Sequence, residues 1–441
     1  MNEEGGGGRG AALVALKRDP ESGSRFSDKI TRKLRAAIPR YSVVVRIALI
    51  DRIGACLLLA LMLACGIALR PPAAAGQSPA PAANSSVPAA AVEKYRRDLA
   101  AYQQAWDAYQ ATAKTYWTSI AEKRRARNAK RARGTALALD DYVLDQPPVY
   151  SGPPKPRGPS KPAAPPAAPL YVPVVADFLA AAAKEFKFAP RLPKTDGEFK
   201  RAYAAAAAAA GLSEQQAVRV YSFEATGNGA YDVQAGLEYN RAGRAITTAL
   251  GYNQLLATNS VEILAENGGH IVTALAASAA QMPDGSRQAL EKKLATVRKM
   301  VDFAKSVPDD WNEHEALAGT QKGLAVHALN LDLDVGPFLQ TQKLLDSVIF
   351  ARRKGYAAPL TAAELEMLNL TGDGNGFDMV TMPAEWRGKV PTANFFQQHG
   401  YRDNPVAQRN NVVSALIAAT DAAMDREVQK PGAKELAAAF P

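Results

Sequence analysis

The sequence predicts a mostly helical protein, and three observations lead to this prediction. Ala-rich segments with apolar residues at helical spacing cover most of residues 174–441, and several start at helix-capping residues. Apolar and aromatic residues between positions 92 and 120 also repeat every three or four residues. Only residues 230–247 have an extended pattern, in which YDVQAGL and RAGRAIT flank a turn, and this predicts a small β-hairpin.

The N-terminal part contains a predicted export segment. Residues 1–52 are interpreted as a disordered extension, and residues 53–75 as a signal peptide or membrane anchor. The run Ile53–Leu69 is uncharged, follows basic residues and precedes the small residues Ala73–Ala75. Its length of about 25 Å is short for a membrane span, so a cleaved signal and an uncleaved anchor both remain open. Either places the following residues in the periplasm, free or anchored to the inner membrane and facing the periplasm.

Charge and cysteine content exclude several classes of protein. The formal net charge is +10, of which residues 1–75 carry +6, so the rest of the chain is not strongly basic and nucleic acid is not an expected partner. Both cysteines, Cys56 and Cys65, lie in the apolar run. A disulfide scaffold or a cysteine zinc site after that run is therefore excluded.

Residues 76–146 are predicted to form a helical stalk with a heptad seam. The seam positions alternate by three and four residues: Val92, Tyr95, Leu99, Tyr102, Trp106, Tyr109, Ala113, Tyr116 and Ile120. Such a seam can form a coiled coil and a homodimer, or it can lay one helix on another surface of the same chain. Five of the nine positions are aromatic, whereas dimeric seams prefer Leu, Ile and Val, which favours the second interpretation.

A basic run ends the stalk. Lys123–Arg133 contains seven positive charges in eleven residues. Outside the cytoplasm, such a run is expected to bind an anionic membrane or an anionic wall polymer. The alternative is a solvated helix face.

A Pro-rich linker precedes the main predicted domain. Residues 147–173 contain eleven of the 29 prolines, which is typical of an extended spacer. Residues 174–441 are predicted to form one helical domain. Its expected helices are Val174–Phe186, Gly197–Ala210, Ser213–Ala225, Thr247–Asn267, Arg287–Ser306, Asp309–Ala328, Val335–Lys354, Ala362–Leu368 and Asn404–Val428.

Glu224 is the strongest candidate for a catalytic residue. With Ala217, Val220 and Tyr221 it follows the spacing of one helix face, so a charged group lies on an apolar stripe. It also stands in the last turn before Gly227, where the helix dipole disfavours a negative charge. Burial and dipole both raise the expected pKa of Glu224, as a glycosidic general acid requires. A solvent-exposed Glu at a frayed helix end is the alternative.

The segment 218–256 resembles the lysozyme-like soluble lytic transglycosylases of bacterial cell walls. In that family a catalytic Glu ends a helix, and a Gly-Leu-Met-Gln motif follows. Here Glu224 matches the Glu, and Gly251-Tyr252-Asn253-Gln254 matches the motif with two substitutions. A later Ala-Tyr-Asn-Ala-Gly motif is loosely matched by Met367–Gly372, with Asn369 at the asparagine position. The residue after the Glu, serine in the family, is Ala225.

The resemblance implies a lysozyme-like fold and cleavage of the β-1,4 bond between N-acetylmuramic acid and N-acetylglucosamine in peptidoglycan glycan strands. Glu224 would act as acid and then as base while the muramyl 6-hydroxyl closes a 1,6-anhydro ring. Gln254, Tyr252 and Asn369 would bind sugar or position Glu224. A muramidase would instead need a second carboxylate, for which Asp232 is the candidate, although a turn Asp is the simpler interpretation.

The remaining motifs predict neither a metal nor a cofactor. The glycine-rich segment 371–378 lacks the ligands of a calcium loop and the Lys of a phosphate loop, so it is interpreted as a tight loop lining a cleft. The four histidines do not have metal-ligand spacing. The alternative to an enzyme is a non-catalytic glycan-binding or scaffolding protein of the bacterial envelope, in which the same cleft binds glycan without cleaving it.

Overall fold

The computed structural model describes residues 88–158, 171–237 and 244–441. The predicted extension and export segment, residues 1–75, lie outside them. Of the described residues, 106–151, 171–237 and 244–441 belong to one compact unit, and 88–105 with 152–158 belong to another. No described helix has both the length and the apolar character needed to cross a membrane.

The protein is mostly helical, as predicted. Within the described residues, the first eight helices are α1 (Ala89–Ala132), α2 (Val175–Phe186), α3 (Asp196–Ala209), α4 (Glu214–Glu224), α5 (Ala257–Ala280), α6 (Asp284–Ala304), α7 (Trp311–Ala318) and α8 (Gln321–His327). The next eight are α9 (Gly336–Arg353), α10 (Ala362–Thr371), α11 (Asp373–Thr381), α12 (Ala384–Arg387), α13 (Gln398–Arg402), α14 (Pro405–Arg409), α15 (Val413–Glu427) and α16 (Pro431–Ala438). Single 3₁₀ turns lie at Leu139–Asp141, Ala328–Leu331 and Thr392–Phe395.

The large unit contains two apolar clusters. The first joins α3, α4, α9, α10, α11 and α15, and it includes Tyr116 and Ile120 from α1. The second joins α2, α5, α6, α7 and α8 with the start of α9. The candidate site lies at the first cluster, between α4 and α10.

The predicted stalk helix is present as α1, and its seam divides into two parts. In the smaller unit, Val92, Tyr95 and Leu99 are partly buried. In the large unit, Ala113, Tyr116 and Ile120 are buried among residues of the same chain. Trp117 also packs against Tyr401, with 5.7 Å between ring centroids. This end of the helix lays its apolar face on another surface of its own chain.

The basic run forms part of the folded unit. Arg124 donates hydrogen bonds to the carbonyls of Asn394 (3.0 Å) and Phe396 (2.6 Å). Arg127 donates to Asp378 Oδ2 at 3.0 Å, and both side chains are almost fully buried. The hydroxyl of Tyr142 donates to Asp378 Oδ1 at 2.5 Å, and Arg131 also pairs with that carboxylate. We call Arg124, Arg127, Arg131, Tyr142 and Asp378 the arginine cluster.

The small β-hairpin predicted over 230–247 is wrong for the described residues 230–237 and 244–247. They form turns, with an isolated bridge between Gln234 and Leu250. The Gln234 side chain donates to the carbonyls of Thr247 (3.0 Å) and Pro173 (2.8 Å). Backbone bonds also join the two segments, from the Ile246 N–H to the Ala235 carbonyl (2.8 Å) and from the Gly251 N–H to the Val233 carbonyl (2.9 Å), without forming a strand ladder. The predicted hairpin turn, 238–242, lies outside the described residues.

Three predicted helices have different bounds. The helix expected from residue 247 begins at Ala257, because Gly251 (φ 82°) and Gln254 (φ 45°) hold left-handed conformations that end any earlier helix. The helix expected over 309–328 divides between Ala318 and Gln321, and that expected over 404–428 divides between Arg409 and Val413.

The glycine-rich segment is a helix and not a tight loop. Residues 373–381 form α11, which packs closely on α10. A Cβ at Gly376 would lie 2.4 Å from the Cα of Leu368, so only glycine allows this approach. Gly376 therefore allows the helix packing, whereas Gly372 (φ 81°) makes the turn between the two helices.

Candidate active site

Glu224 is the last residue of α4. The helix starts with a capping box, in which Ser213 Oγ accepts from the Gln216 N–H (3.2 Å) and Gln216 Oε1 accepts from the Ser213 N–H (3.0 Å). After Glu224 the chain turns through Thr226 (φ 54°) and Gly227 (φ 67°). A Cβ at Gly227 would lie 2.3 Å from the Glu427 carbonyl oxygen, so glycine is required there. The helix end is thereby fixed, and Glu224 stays in its last turn, where the dipole disfavours a carboxylate.

Asn369 contacts Glu224 directly. Its Nδ2 donates to Glu224 Oε1 at 2.9 Å, although the two residues are 145 positions apart. Asn369 lies on α10, and its Nδ2 is also 3.5 Å from both carboxyl oxygens of Glu366, one turn earlier on the same helix. The structure therefore brings together the two residues that the first and third motifs singled out.

A second carboxyl group, Glu366, forms a pair with Glu224. Glu366 is 1 % exposed, whereas Glu224 is partly exposed. The two carboxyl groups meet at the Asn369 amide, whose Nδ2 contacts oxygens of both, and each affects the pKa of the other. We call Glu224 and Glu366 the carboxyl pair. A hydrogen bond between two carboxyl groups needs a proton on one of them, because a carboxylate cannot donate.

Burial dominates the electrostatics of the carboxyl pair. It raises the pKa of Glu224 to about 7, against the smaller effect of hydrogen bonds from Glu366 and Asn369. Burial, and then the neighbouring Glu224 carboxylate, raise the pKa of Glu366 well above its usual range. Burial therefore favours the protonated form of both groups, and the neighbouring carboxylate favours it further at Glu366.

Tyr252 lies in the core. Its side chain is fully buried, and its hydroxyl donates to Asp196 Oδ1 at 2.9 Å. The ring contacts Tyr221, one turn before Glu224, with 4.6 Å between centroids. These contacts fix the wall behind α4, and a sugar contact by Tyr252 stays a prediction.

Gln254 and Asp232 lie on the segments between α4 and α5. Gln254 Nε2 donates to the carbonyls of Gly251 (2.8 Å) and Val233 (3.2 Å), and so joins the two segments. Its left-handed backbone is unusual for a residue other than glycine, and such strain is often retained at functional sites. Asp232 is exposed. The carboxyl group that faces Glu224 is Glu366 and not Asp232.

Asn253, a departure from the family motif, belongs to a buried polar network. Its N–H donates to Gln340 Oε1 (2.8 Å) and its Nδ2 to the Gln340 carbonyl (2.6 Å). Gln340 Nε2 continues to Asn330 Oδ1 at 2.8 Å, and Asn330 Nδ2 to Ser260 Oγ at 2.8 Å. The network thus anchors the segment that carries Gln254 to α9 and α5.

The network ends at a buried histidine. His327 Nδ1 is 2.8 Å from Ser260 Oγ, and Nε2 is 2.8 Å from the Thr248 carbonyl. Burial lowers the pKa of His327 to about 4, so it is neutral at physiological pH. Ser260 and His327 are fully buried, and this pair therefore holds the loop and does not meet a substrate.

Sequence reasoning missed Glu366 and the structural role of Asn253. A signal for Glu366 was present, because it is three residues before Asn369 and shares the face of α10 with the buried Ala362 and Ala363. Asn253 gave no such signal, because its partners lie 50 and 87 residues away.

In the described part of the chain, no group of three or more His, Cys, Asp or Glu side chains is arranged to hold a metal ion. In comparisons with known proteins, no family model, curated protein or solved structure matches the chain. Function must therefore be inferred from the site itself.

Proposed function

We propose that this protein is a peptidoglycan lytic transglycosylase with a lysozyme-like helical domain, in which Glu224 is the general acid and base. The observation that carries the proposal is the 2.9 Å hydrogen bond between Asn369 Nδ2 and Glu224 Oε1. It joins two residues that the motif resemblance selects from distant parts of the sequence. A glycosidic acid must be protonated near neutral pH, and the raised pKa of Glu224 meets this requirement.

The reaction needs one carboxyl group that changes role. Glu224 donates its proton to the glycosidic oxygen while the bond from that oxygen to C1 of the muramyl residue breaks. The Glu224 carboxylate then accepts the proton of the muramyl 6-hydroxyl, and the O6–C1 bond closes the anhydro ring. Glu224 regains its proton, so no water is consumed and the proton count is unchanged.

The carboxyl pair favours this route over hydrolysis by two flanking carboxylates. In retaining and inverting hydrolases the two groups stand about 5–9.5 Å apart, on either side of the sugar. Glu366 and Glu224 contact the same Asn369 Nδ2, at 3.5 and 2.9 Å, so the two carboxyl groups lie beside each other and do not flank a sugar. Asp232, the candidate for a muramidase, is exposed on the loop after α4.

The partners follow from the same proposal. Peptidoglycan glycan strands are the substrate, and the location is periplasmic or at the periplasmic face of the inner membrane. Within the basic run, Arg125 and Arg133 are the exposed cations, so they are the residues proposed to bind anionic lipid or wall polymer. A homodimer through the stalk is part of the same proposal; within the seam, Ala113, Tyr116 and Ile120 are buried in their own chain, and Trp106 and Tyr109 pack on Tyr150.

Digestion of purified sacculi tests the proposal. The full-length chain is compared with Glu224→Gln, which keeps the acceptor for Asn369 and removes the acid, and products are identified by mass spectrometry. We expect anhydro-muropeptides from the wild type and a loss of at least roughly 10²–10⁴-fold in the variant, the usual value of a general acid.

The matched control is Asp346→Asn. Asp346 lies on α9 and accepts hydrogen bonds from Asn267 (3.0 Å) and Gln342 (2.9 Å), and burial raises its pKa to about 6. Neutralising it should leave the products unchanged. Reducing-end products would indicate a muramidase, and sacculi bound but not cleaved would indicate a glycan-binding scaffold; either result contradicts the proposal.

A further inference from the structure

The carboxyl pair is asymmetric. Glu366 is 1 % exposed and lies on the inner side, whereas Glu224 is partly exposed and lies at the end of its helix. Asn369 Nδ2 is 2.9 Å from Glu224 and 3.5 Å from the Glu366 oxygens. The amide therefore supports a negative charge on Glu224 better than on Glu366.

Among the described residues, no cation forms an ion pair with Glu224 or Glu366. The helices packed on α10 are α4, α9, α11 and α15. The charged groups of these helices interact with other residues. Arg219 forms ion pairs with Asp421 and Asp425, Asp378 forms one with Arg127, and Asp373 accepts a hydrogen bond from Ser347. Lys343 interacts electrostatically with four carboxyl groups, those of Glu262, Glu266, Asp346 and Asp373. The groups that face the Glu366 carboxyl are Glu224 from α4 and Asn369 from α10 itself.

Two carboxylates in contact at a buried site without a cation cannot both be ionised. We propose that Glu366 is the positioning residue of this site: it stays protonated throughout the reaction and donates its hydrogen bond to the Glu224 carboxylate. This inference rests on the proposed function, because it assigns Glu366 a part in the acid–base cycle of Glu224.

The hydrogen bond acts where Glu224 is negatively charged. After Glu224 gives its proton to the leaving oxygen, its carboxylate receives the O–H of Glu366 and the N–H of Asn369. Both donors stabilise it until it takes the proton of the 6-hydroxyl. The proton on Glu366 is never transferred, so each reaction step remains balanced through Glu224 alone.

Three variants of Glu366 test this role through the pH profile of kcat/KM on sacculi. Glu366→Gln keeps a neutral donor, so activity should stay within about fivefold of wild type and the profile should keep its shape. Glu366→Met has similar length but no donor, so activity should fall roughly tenfold or more and the alkaline limb should move to higher pH. Glu366→Asp shortens the side chain, and it should lie between them.

Infrared difference spectra test the protonation of Glu366 without a measurement of activity. The wild-type minus Glu366→Gln spectrum at pH 8 should show the C=O stretch of a protonated carboxyl, and Glu224→Gln should retain it. Asp346→Asn is the control, since its carboxyl is ionised at that pH.

The two proposals fail in distinguishable ways. Wild-type protein without activity on sacculi would overturn the proposed function. A missing protonated-carboxyl signal at pH 8, or a Glu366→Gln variant as inactive as Glu224→Gln, would overturn the role of Glu366 and leave the assignment of Glu224 intact.

Discussion

Two consecutive helices place a buried carboxyl group in opposite surroundings. On α11, Asp378 accepts from Arg127, Arg131 and Tyr142. On α10, Glu366 meets Glu224, a group of the same charge. Gly372 alone separates the two helices, and both carboxyl groups are nearly inaccessible, with 2 % and 1 % exposed.

The difference distinguishes a buried carboxyl group that contributes to the fold from one whose pKa suits a reaction. In the arginine cluster the Asp378 carboxylate pairs with Arg127 and Arg131, and Arg124 donates to two carbonyls, which is how a folded chain tolerates ions in its interior. The carboxyl pair forms no ion pair with a cation among the described residues, and burial raises the pKa of both groups. An uncompensated buried acid costs stability, and sites of this kind concentrate where a reaction needs a shifted pKa.

The largest expected effect contrasts the two carboxyl groups. Asp378→Asn leaves the Arg127 guanidinium buried without a counter-charge, and we expect a loss of about 3–5 kcal/mol in the free energy of unfolding. Glu366→Gln removes no opposite charge and should cost less than about 1 kcal/mol, or stabilise the protein. Urea denaturation at pH 8 measures both, and equal losses would mean that the two sites do not differ as described.

A smaller effect is expected in the pH dependence of stability. The folded-state pKa of Glu224 is raised from 4.5 to about 7, so the protonated form is the one favoured by folding. Stability from this group is complete below the unfolded pKa and declines as pH rises to about 7, by about 1.4 kcal/mol for each unit of pKa difference.

The comparison to make is wild type against Glu224→Gln/Glu366→Gln between pH 4 and pH 8. Subtracting the two curves removes the contribution of His327, whose lowered pKa acts in the opposite direction. The wild type should lose stability relative to the double variant as pH rises through this range. A constant difference would show that the pair does not titrate in the folded protein.

The smallest expected effect concerns two neighbouring arginines. Arg125 is exposed, so Arg125→Ala should change stability by less than about 0.5 kcal/mol. Arg124→Ala removes two buried hydrogen bonds to carbonyls and should cost about 1–3 kcal/mol. Thermal denaturation of the two arginine variants measures this difference. Similar losses of stability in both would show that burial does not distinguish the two positions.

The sequence was most informative where local chemistry decides the structure. The capping box at Ser213 and the stop at Gly227 predicted α4 and put Glu224 in its last turn. Asn369 was predicted because it stands at the asparagine position of the third family motif. Glu366 could have been found only by asking which side chain opposes Glu224, and that depends on how α4 packs on α10.

Long-range contacts explain the other differences. From the sequence alone, the basic run predicts a solvated or polymer-binding surface, because the sequence does not show that Asp378 and Asn394 lie beside it. Likewise, the glycines of 371–378 predict a loop until α11 is seen against α10. In place of the predicted hairpin, isolated backbone bonds and the Gln234 side chain hold the loop, and a period-two pattern does not reveal such bonds.

The arginine cluster also sets an order for folding during synthesis. Arg127 meets Asp378 across 251 residues, and Arg124 meets Phe396 across 272. At about 5–20 residues per second, the ribosome needs roughly 10–50 s to supply those partners after α1 has emerged. Until then two arginines and the apolar residues beside them lack their native contacts. Chains truncated before position 394 are therefore expected to stay accessible to proteases and chaperones. The contacts of Arg124 with Asn394 and Phe396 thus distinguish a finished polypeptide from an interrupted one.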